Sequence, residues 1–587
     1  MFPFGVTYYP DQWPKETWDK TFKEIKQAGL NIVRFGEMAW DWIEPEPGNF
    51  KFEELDEALD LCAKHKIKVL LGIPTSQVPT WFFRLYPDSR SVANDGTLYP
   101  DYGPRPNVCK DNPNYRKHAE IVARKMVARY KDHPAVLYWQ VDNEPVYPPL
   151  DSTTSNDFCH CDHSKKAFIK WAKERYKTID KLNEVWGAKF WTTTFSRFED
   201  ITTPKAGIWD AVSPHIFLDW FRFKTDSIKD WVSRLAKVVK AIDKKHKVGT
   251  NGFIGICTRV PDHSMIAENL DFFGLDVYPA GGNMSDQHLA YTYDLWRSYC
   301  RSNKAEFHIT ELQGGQNVRW GNPKYVKGPE IKGWTEMAVK HGAEAILYHN
   351  WLPPLFGAET QGFGILKSDG SSTPRLETIK KLAKKLITHY PLRITRSNIA
   401  IAYLRSSEIQ SYQEQGPARG VSGQWESVRG DIGLVHTMDS TAAAHMAIHK
   451  KGEPIDFIFE QDIDSGKLPY KTILMPNPYL LSKKQYSNVK KWIKSGGKLI
   501  TEARFGVKDE NGHLYANALM EDLLGVKYEY TEPTINGLID GLKDKPKKEQ
   551  IITKKIGKGK VIYANFSIFL AIRKGSKKWL QFVRKSI

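Results

Sequence analysis

The sequence predicts an α/β protein in which an eight-stranded (β/α)₈ TIM barrel precedes a smaller α/β domain. Before residue 390, short apolar runs alternate eight times with longer amphipathic segments. The apolar runs are continuous rather than alternating, which is typical of parallel strands covered by helices. Closing such a sheet on itself gives a barrel. An open doubly wound sheet is the alternative, but no G-x-G-x-x-G motif follows the first strand.

Each barrel strand is predicted from a largely apolar run of six to eight residues bounded by polar or turn-forming residues. These runs are FGVTYY (4–9), NIVRFGE (31–37), KVLLGIP (68–74), AVLYWQV (135–141), KVGTNGF (247–253), FFGLDVY (272–278), EFHITEL (306–312) and AEAILYHN (343–350). Helices are predicted at amphipathic segments with polar starts and Gly or Pro stops. Examples are TWDKTFKEIKQAG, EELDEALDLCAKH, NYRKHAEIVARKMVARY and TPRLETIKKLAKKL.

A linker near THYPLRITRSN (388–398) separates the two predicted domains, which we assign to residues 1–390 and 391–587. Short buried-looking strands follow the linker, with helical stretches such as SKKQYSNVKKWIKSGG between them. This pattern favours a second α/β domain with a parallel sheet. The strands are predicted at NIAIAYL, IDFIFEQ, KTILMPN, GGKLITE and KVIYANF.

Composition argues against several classes of function. The net charge of +17 comes from 85 basic and 68 acidic residues, but the lysines are spread over helix faces. We therefore interpret the charge as solvated surface rather than a nucleic-acid patch. No apolar run reaches the ~20 residues that cross a membrane, and MFPFGVTYYP does not have the pattern of a signal peptide. With only six cysteines, a reducing, cytoplasmic setting is expected.

Polar and aromatic residues follow nearly every predicted barrel strand, at its carboxyl end. In a barrel those ends form one rim, which is where TIM-barrel active sites lie. The residues at this rim are Glu37, Asn143, Glu144, Asn251, Tyr278, Glu311, Asn350 and Trp351.

Two glutamates on this rim predict glycosidic bond cleavage with retention. Glu144 in YWQVDNEPV follows strand 4, and Glu311 in HITEL follows strand 7. Retaining glycosidases need two carboxyl groups about 5–5.5 Å apart, one protonated and one ionised. We assign Glu144 as acid/base, Glu311 as nucleophile and Asn143 as a donor to the sugar 2-OH. Asp142 lies two residues before Glu144, on the same face of an extended strand, and is assigned a supporting role.

The motifs resemble those of glycoside hydrolase family 42, the β-galactosidases, over most of the chain. FGVTYYPDQWP, GLNIVRFGEMAWDWIEPEPGNFKF, RPNVCKDNPNYR, QVDNEP, LNEVWGAKFW, GLDVYP and GFGILKSDGSSTPR follow in the family's order. The resemblance implies a retaining exo-β-glycosidase that removes terminal β-D-galactosyl residues with its two glutamates. It implies no cofactor for catalysis.

The resemblance also implies a sugar pocket. Arg105, Trp191, Trp320 and Glu359 match family positions that hold sugar hydroxyls or form aromatic walls, with Tyr278 on the same rim. The two Trp residues could instead belong to the core. Family members typically have a His three residues after the equivalent of Glu359, where this chain has Gly362. A β-glucoside, β-fucoside, β-mannoside or α-L-arabinopyranoside is therefore an alternative substrate.

Four residues resemble the family's zinc site. Cys109, Cys159 and Cys161 match its thiols, but Ser164 occupies the last position, and His163 is the residue that could complete a Cys₃His shell. We expect such a zinc ion to be structural.

The resemblance implies that the second domain is flavodoxin- or amidotransferase-like and that the chain assembles into a homotrimer. All six cysteines lie at or before residue 300, which excludes a thiol-based amidotransferase. We expect the family's small C-terminal β domain to be absent from this chain.

Two other classes of function fit the sequence less well than a glycosidase. A carbohydrate-binding protein without activity would not require both an acid and a nucleophile. A nucleic-acid-binding protein would show steeply salt-dependent affinity, and we expect neither nucleic-acid nor membrane partners.

Overall fold

The computed structural model describes residues 2–101, 108–147, 159–204, 213–255, 260–318, 323–388, 397–415, 436–449, 453–527 and 549–587. Eight parallel strands close into a barrel, in which β8 returns to pair with β1 through Phe4 and Ile346. These strands are β1 (Phe4–Thr7), β2 (Ile32–Phe35), β3 (Lys68–Ile73), β4 (Val136–Val141), β5 (Lys247–Gly252), β6 (Phe272–Val277), β7 (Glu306–Gln313) and β8 (Ala345–His349).

Helices cover the outside of the barrel in the intervals between the strands. They are α1 (Trp18–Gln27), α2 (Trp40–Ile43), α3 (Glu53–Lys64), α4 (Thr80–Leu85), α5 (Pro113–Tyr130), α6 (Asp162–Tyr176), α7 (Ile179–Val185), α8 (Pro214–Ile242), α9 (His263–Ile266), α10 (Asp286–Asn303), α11 (Gly328–Lys340) and α12 (Pro374–Thr388). Short 3₁₀ turns occur at Pro10–Gln12, Lys15–Thr17, Pro87–Ser89, Phe190–Thr192 and Phe198–Asp200.

Local sequence explains where these helices begin and end. The side chain of Asn112 accepts hydrogen bonds from two backbone N–H groups at the start of α5, and Pro113 occupies the first helical position. Helix α1 ends just before Gly29, whose φ of +85° is readily adopted only by glycine. The buried face of each helix packs against the apolar strands. The polar residues therefore remain at the strand ends, where they form the rim.

The second domain contains a six-stranded sheet in the order β10–β9–β11–β12–β14–β13. Its strands are β9 (Ile399–Ala402), β10 (Asp456–Ile458), β11 (Thr472–Met475), β12 (Lys498–Thr501), β13 (Ile551–Ile556) and β14 (Gly559–Ala564). Its helices are α13 (Arg405–Gln415), α14 (His436–Ile448), α15 (Glu460–Ser465), α16 (Lys483–Lys494), α17 (Leu519–Leu524), α18 (Ile568–Arg573) and α19 (Lys577–Ser586).

One strand of this sheet was not predicted. β13 pairs antiparallel with β14 across a tight turn at Gly557, whereas every other pair in the sheet is parallel. It is a lysine-rich edge strand, and its charged side chains favoured an interpretation as solvated surface. Charged edge strands of this kind discourage pairing with other molecules.

Helix α10 of the barrel holds the second domain through buried charged groups. Arg297 donates to the Asp456 carboxylate at 2.8 Å and to the Ile455 carbonyl, and Arg301 donates to the Phe457 carbonyl at 2.6 Å. Asp294 accepts a hydrogen bond from the Ile455 backbone N–H at 2.9 Å. The two domains therefore share a polar, largely buried interface.

The predicted fold class is confirmed, since all eight barrel strands and a second α/β domain are present. The predicted boundary at residues 390 and 391 falls outside the described residues and stays a prediction. No helix in the described part of the chain has both the length and the apolar character needed to cross a membrane.

Candidate active site

Three carboxyl groups meet at the carboxyl-end rim of the barrel. One carboxylate oxygen of each of Glu144, Asp276 and Glu311 lies within 4.8 Å of the other two. Glu311 and Asp276 are buried and Glu144 is partly exposed. The separation of the two glutamates suits a retaining glycosidase, in which two carboxyl groups lie about 5–5.5 Å apart.

The turn after β4 holds Glu144 in an unusual backbone conformation. The strand ends at Val141, and Asp142 and Glu144 have φ values of +58° and +44°. The predicted shared strand face of these two acids therefore does not exist, because the chain is no longer extended there. Non-glycine residues in this region cost on the order of 1–3 kcal/mol each, so surrounding contacts must hold them.

Several buried donors hold the Asp142 side chain, which anchors the turn and agrees with its predicted supporting role. Its buried carboxylate accepts hydrogen bonds from Lys110 Nζ at 2.9 Å, Trp231 Nε1 at 2.6 Å and the Asn143 backbone N–H at 2.7 Å. Lys110 also donates to the Tyr115 hydroxyl at 2.7 Å. Burial lowers the pKa of Lys110, and the Asp142 carboxylate opposes that shift.

Asn251 at the end of β5 ties the acid/base turn to the rest of the site. Its Oδ1 accepts from the Glu144 backbone N–H at 2.8 Å, while its Nδ2 donates to Asn143 Oδ1 at 2.7 Å. Asn143 Oδ1 also accepts from Arg34 at 2.6 Å. Because both donors bond the same atom, they identify it as the amide oxygen and fix the orientation of the Asn143 amide group.

Arg34 on β2 holds Glu311 in its ionised form. This fully buried guanidinium donates to Glu311 Oε1 at 2.8 Å, and the Tyr278 hydroxyl donates to Glu311 Oε2. Burial raises the pKa of Glu311, but the charges of Arg34 and His349 and the bonds from Tyr278 and Arg34 outweigh burial and lower it. An ionised, oriented carboxylate is what a nucleophile requires.

Asp276 on β6 is the third carboxyl group. It accepts from Asn251 Nδ2 at 2.5 Å and from the Thr310 hydroxyl at 2.7 Å. Burial and then the charges of Glu311 and Glu144 raise its pKa well above the usual range. Carboxyl groups this close cannot all be ionised, and the two opposite shifts favour an anionic Glu311 beside a protonated Asp276.

Glu359, another predicted sugar contact, lies in the loop after β8 and contacts the last residue of that strand. The His349 ring lies with Nε2 3.4 Å from Glu359 Oε2, and Phe363 packs against that ring at 5.4 Å between centroids. A side chain at Gly362 would meet Val318, because an added Cβ would lie 2.5 Å from Val318 Cγ2.

The sequence of the barrel matches one family throughout. The model of the family Glyco_hydro_42, described as beta-galactosidase, matches residues 7–388, and the model of the beta-galactosidase trimerisation domain matches residues 397–551. The chain belongs to glycoside hydrolase family 42. It is therefore a glycoside hydrolase, as the two glutamates predict, and its double displacement needs no cofactor.

Named relatives and solved structures agree with this assignment. The chain is 28% identical to beta-galactosidase BgaB of Geobacillus sp. over 544 residues, which are 91% of this chain and 76% of that protein. It is 31% identical to a beta-galactosidase of Thermus thermophilus over 431 residues, 70% of this chain and 64% of the relative.

A beta-galactosidase structure from Halorubrum lacusprofundi superposes with a TM-score of 0.84 at 24% identity, covering 97% and 88% of the two chains. The catalytic-mutant structure of the family 42 beta-galactosidase Gan42B from G. stearothermophilus gives a TM-score of 0.82 at 20% identity, covering 99% and 88%. At these identities the superpositions show a shared fold.

Of three sugar contacts that the family resemblance implies, only Trp191 lies in the described part of the chain. Arg105 and Trp320 fall outside the described residues. Trp191 lies on the surface, 74% exposed and stacked on Phe190 at 4.5 Å between centroids, and Phe190 is itself 64% exposed. Within one chain, no described ring contact or hydrogen bond joins Trp191 to the two glutamates.

The predicted thiol cluster forms, but His163 is not part of it. One sulfur of each of Cys109, Cys159 and Cys161 lies within 4.8 Å of the others, and all three residues are buried. Ser164 Oγ occupies the fourth corner, 3.3 Å from Cys109 Sγ. His163 instead bonds Asp88 at 2.9 Å, because neighbouring residues of helix α6 point in directions about 100° apart.

This cluster suits a structural zinc ion by its donor chemistry. The sulfurs of Cys109 and Cys161 are 3.3 Å apart, and a tetrahedral zinc site separates two thiolates by about 3.8 Å. The neighbouring Cys109 and Cys159 thiols lower the pKa of Cys161, and the thiolate is the form of cysteine that binds zinc. The three thiols would hold the ion, with the Ser164 hydroxyl or a water as fourth ligand.

Sequence reasoning missed several residues of the site. Arg34 and Asp276 lie inside predicted strands, and His349 precedes the rim residues Asn350 and Trp351 that were noted. A charged residue within an apolar parallel strand is itself a signal, because a buried charge needs a partner. Arg34 and Asp276 could have been found in this way.

Proposed function

We propose that this chain is a retaining exo-β-D-galactosidase that acts through Glu144 and Glu311. One observation carries the proposal: the two glutamates face each other at glycosidase distance, with Glu311 held ionised by Arg34 and Tyr278. The supporting evidence for the substrate is the family and the beta-galactosidase names of its relatives.

In the first step, Glu144 gives its proton to the glycosidic oxygen as Glu311 attacks the anomeric carbon. The bond to the leaving group breaks, and a glycosyl ester forms on Glu311. In the second step, Glu144 takes a proton from water, which attacks the same carbon and releases Glu311. Asn143, oriented by Arg34 and Asn251, donates to the sugar 2-OH as the transition state forms.

Substitution of each glutamate tests these roles separately. We expect Glu311→Ala to abolish hydrolysis of nitrophenyl β-glycosides, because no nucleophile replaces it. We expect azide to restore turnover to Glu144→Ala on substrates with good leaving groups, with a β-glycosyl azide as product. Most of the activity surviving in Glu311→Ala would refute the assignment of the nucleophile.

The glycine at position 362 supports an alternative proposal, in which the enzyme prefers a glycoside other than a galactoside. The family's pocket histidine is absent there, and Val318 occupies the adjoining space. A panel of nitrophenyl β-galactoside, β-glucoside, β-fucoside, β-mannoside and α-arabinopyranoside separates the candidates by kcat/KM. A clear preference for another glycoside over the galactoside would replace the substrate and keep the mechanism.

We further propose that the protein assembles as a homotrimer through its second domain. The support is the match of residues 397–551 to the beta-galactosidase trimerisation domain. The exposed pair Phe190 and Trp191 would then contact a neighbouring copy, where Trp191 could meet that copy's sugar pocket. Light scattering on the purified full chain should give three times the 67.3 kDa mass of one chain.

A further inference from the structure

An imidazole reaches the sugar pocket from a position that the family resemblance does not assign. His349 is the last residue of β8, and its side chain is buried at the carboxyl end of the barrel. Its Nε2 lies 3.4 Å from Glu359 Oε2 and its Nδ1 lies 3.1 Å from the Thr7 hydroxyl. Each ring nitrogen therefore has a partner, and the ring plane is fixed between β1 and the loop that carries Glu359.

The same ring is connected to the nucleophile. It packs edge-on against Tyr278 at 5.9 Å between centroids, and the Tyr278 hydroxyl donates to Glu311. Although burial lowers the pKa of His349, the Glu359 hydrogen bond and the charge of Glu311 outweigh burial and raise it. His349 thus lies between the carboxylate at the anomeric carbon and the carboxylate at the other end of the pocket.

At position 362, a side chain would require Val318 to move. A Cβ at this position would lie 2.5 Å from Val318 Cγ2 and 3.1 Å from the Glu359 carbonyl oxygen. The next residue, Phe363, is fully buried and packs against His349 and Tyr278. The residue beside Gly362 therefore packs directly against the His349 ring.

We propose that His349 is the specificity-determining residue of this pocket, positioning Glu359 against the sugar hydroxyls furthest from the scissile bond. This inference rests on the proposed glycosidase function. A carboxylate held by a cationic donor keeps one orientation and stays ionised, which makes it a strong acceptor for hydroxyl groups. Discrimination between sugars that differ at C4 or C6 then depends on an imidazole that touches Glu359.

Substrates that differ only at the far end of the sugar test this role. The wild type and His349→Phe are compared on nitrophenyl β-D-galactoside, β-D-fucoside (no 6-hydroxyl), α-L-arabinopyranoside (no C6) and β-D-glucoside (inverted C4). We expect the preference of the wild type for its best substrate over these analogues to fall about ten- to a hundredfold in His349→Phe. The loss should appear in KM and kcat of the best substrate and hardly at all for the analogue lacking the contacted hydroxyl.

A matched control and a double variant separate positioning from general damage. His308→Phe makes the same exchange at a buried histidine near the amino end of β7, three residues before Glu311, where the ring stacks on Phe272 and not on any rim residue described above. It should leave the substrate ratios unchanged even where it lowers Tm. Because His349 acts through Glu359, adding His349→Phe to Glu359→Gln should reduce the ratios no further than Glu359→Gln alone.

Other outcomes have distinct meanings. Unchanged ratios in a folded His349→Phe, or losses that multiply in the double variant, would overturn the role of His349. Inactivity of the wild type on every glycoside would instead overturn the proposed function. If His349→Phe does not fold, Thr7→Val supplies the test, since it removes the Nδ1 partner and should lower the same ratios in the same order.

Discussion

Removal of the Arg34 guanidinium should disable the nucleophile by changing its protonation. Arg34→Met keeps most of the buried volume but removes the donor to Glu311 at 2.8 Å, the donor to Asn143 at 2.6 Å and the counter-charge to Glu37 at 3.3 Å. All four side chains are buried. Arg34→Lys is the matched control, because it keeps the charge but cannot bridge Glu311 and Asn143 at once.

The size of the effect follows from burial and distance. Two unit charges ~4 Å apart interact by about 4 kcal/mol at an effective dielectric of 20, and a change of ~1.4 kcal/mol corresponds to one pKa unit. Arg34 lowers the pKa of Glu311, so its removal raises that pKa. We expect the acidic limb of kcat/KM to move to higher pH by more than about one unit. Leaving buried carboxylates unpaired should also reduce unfolding free energy by about 3–5 kcal/mol.

The assay is a pH profile of kcat/KM on the best nitrophenyl glycoside, with thermal unfolding measured on the same samples. Arg34→Lys should keep its acidic limb near that of the wild type and lose rate, because Asn143 is no longer oriented. An Arg34→Met protein with the acidic limb and Tm of the wild type would refute the reasoning.

Three further predictions concern residues away from the two glutamates, including His449 after helix α14, whose ring stacks on His341 and His445. Lys110→Met should lower the unfolding free energy by about 3–5 kcal/mol in urea titrations, because Asp142 loses its buried partner, while the exposed Lys117→Met should not. Burial lowers the pKa of His449 to about 4, so its stability contribution is complete above pH 6.5 and lost towards pH 4. The unfolding free energy of the wild type should therefore fall by about 1 kcal/mol from this group between pH 6.5 and pH 4, after solvent screening. His449→Leu should lack this contribution, so that its Tm falls less over the same pH range. Protein purified without added metal should hold one zinc per chain by elemental analysis, and Cys161→Ser should lose it.

Much of this fold could be predicted from the sequence because barrel strands are recognisable in isolation. Each one is a continuous apolar run, and parallel order places all their carboxyl ends on one rim. Because Glu144 and Glu311 both follow barrel strands, they lie on the same rim although they are far apart in the sequence. β13 was missed for the opposite reason, since an edge strand has one exposed side and its lysines follow no apolar pattern.

The contacts that tune the site could not be predicted, because they join residues far apart in the sequence. Arg34 and Glu311 are 277 residues apart, and nothing in the segment around Arg34 indicates which carboxylate it meets. The fourth corner of the thiol cluster depends on the orientation of one helix. His163 and Ser164 are neighbours, and only the rotation of helix α6 decides that Ser164 faces the sulfurs.

The acid/base turn shows why the site depends on closure of the whole barrel. Its two positive-φ residues cost on the order of 1–3 kcal/mol each, and each hydrogen bond to a charged group stabilises by about 1.5–3 kcal/mol. Asp142 is held by Lys110 and Trp231, and the Glu144 backbone by Asn251. These anchors come from separate segments of the barrel, so the turn is stable only when all of them are in place. The catalytic geometry should therefore be lost together with the barrel rather than before it.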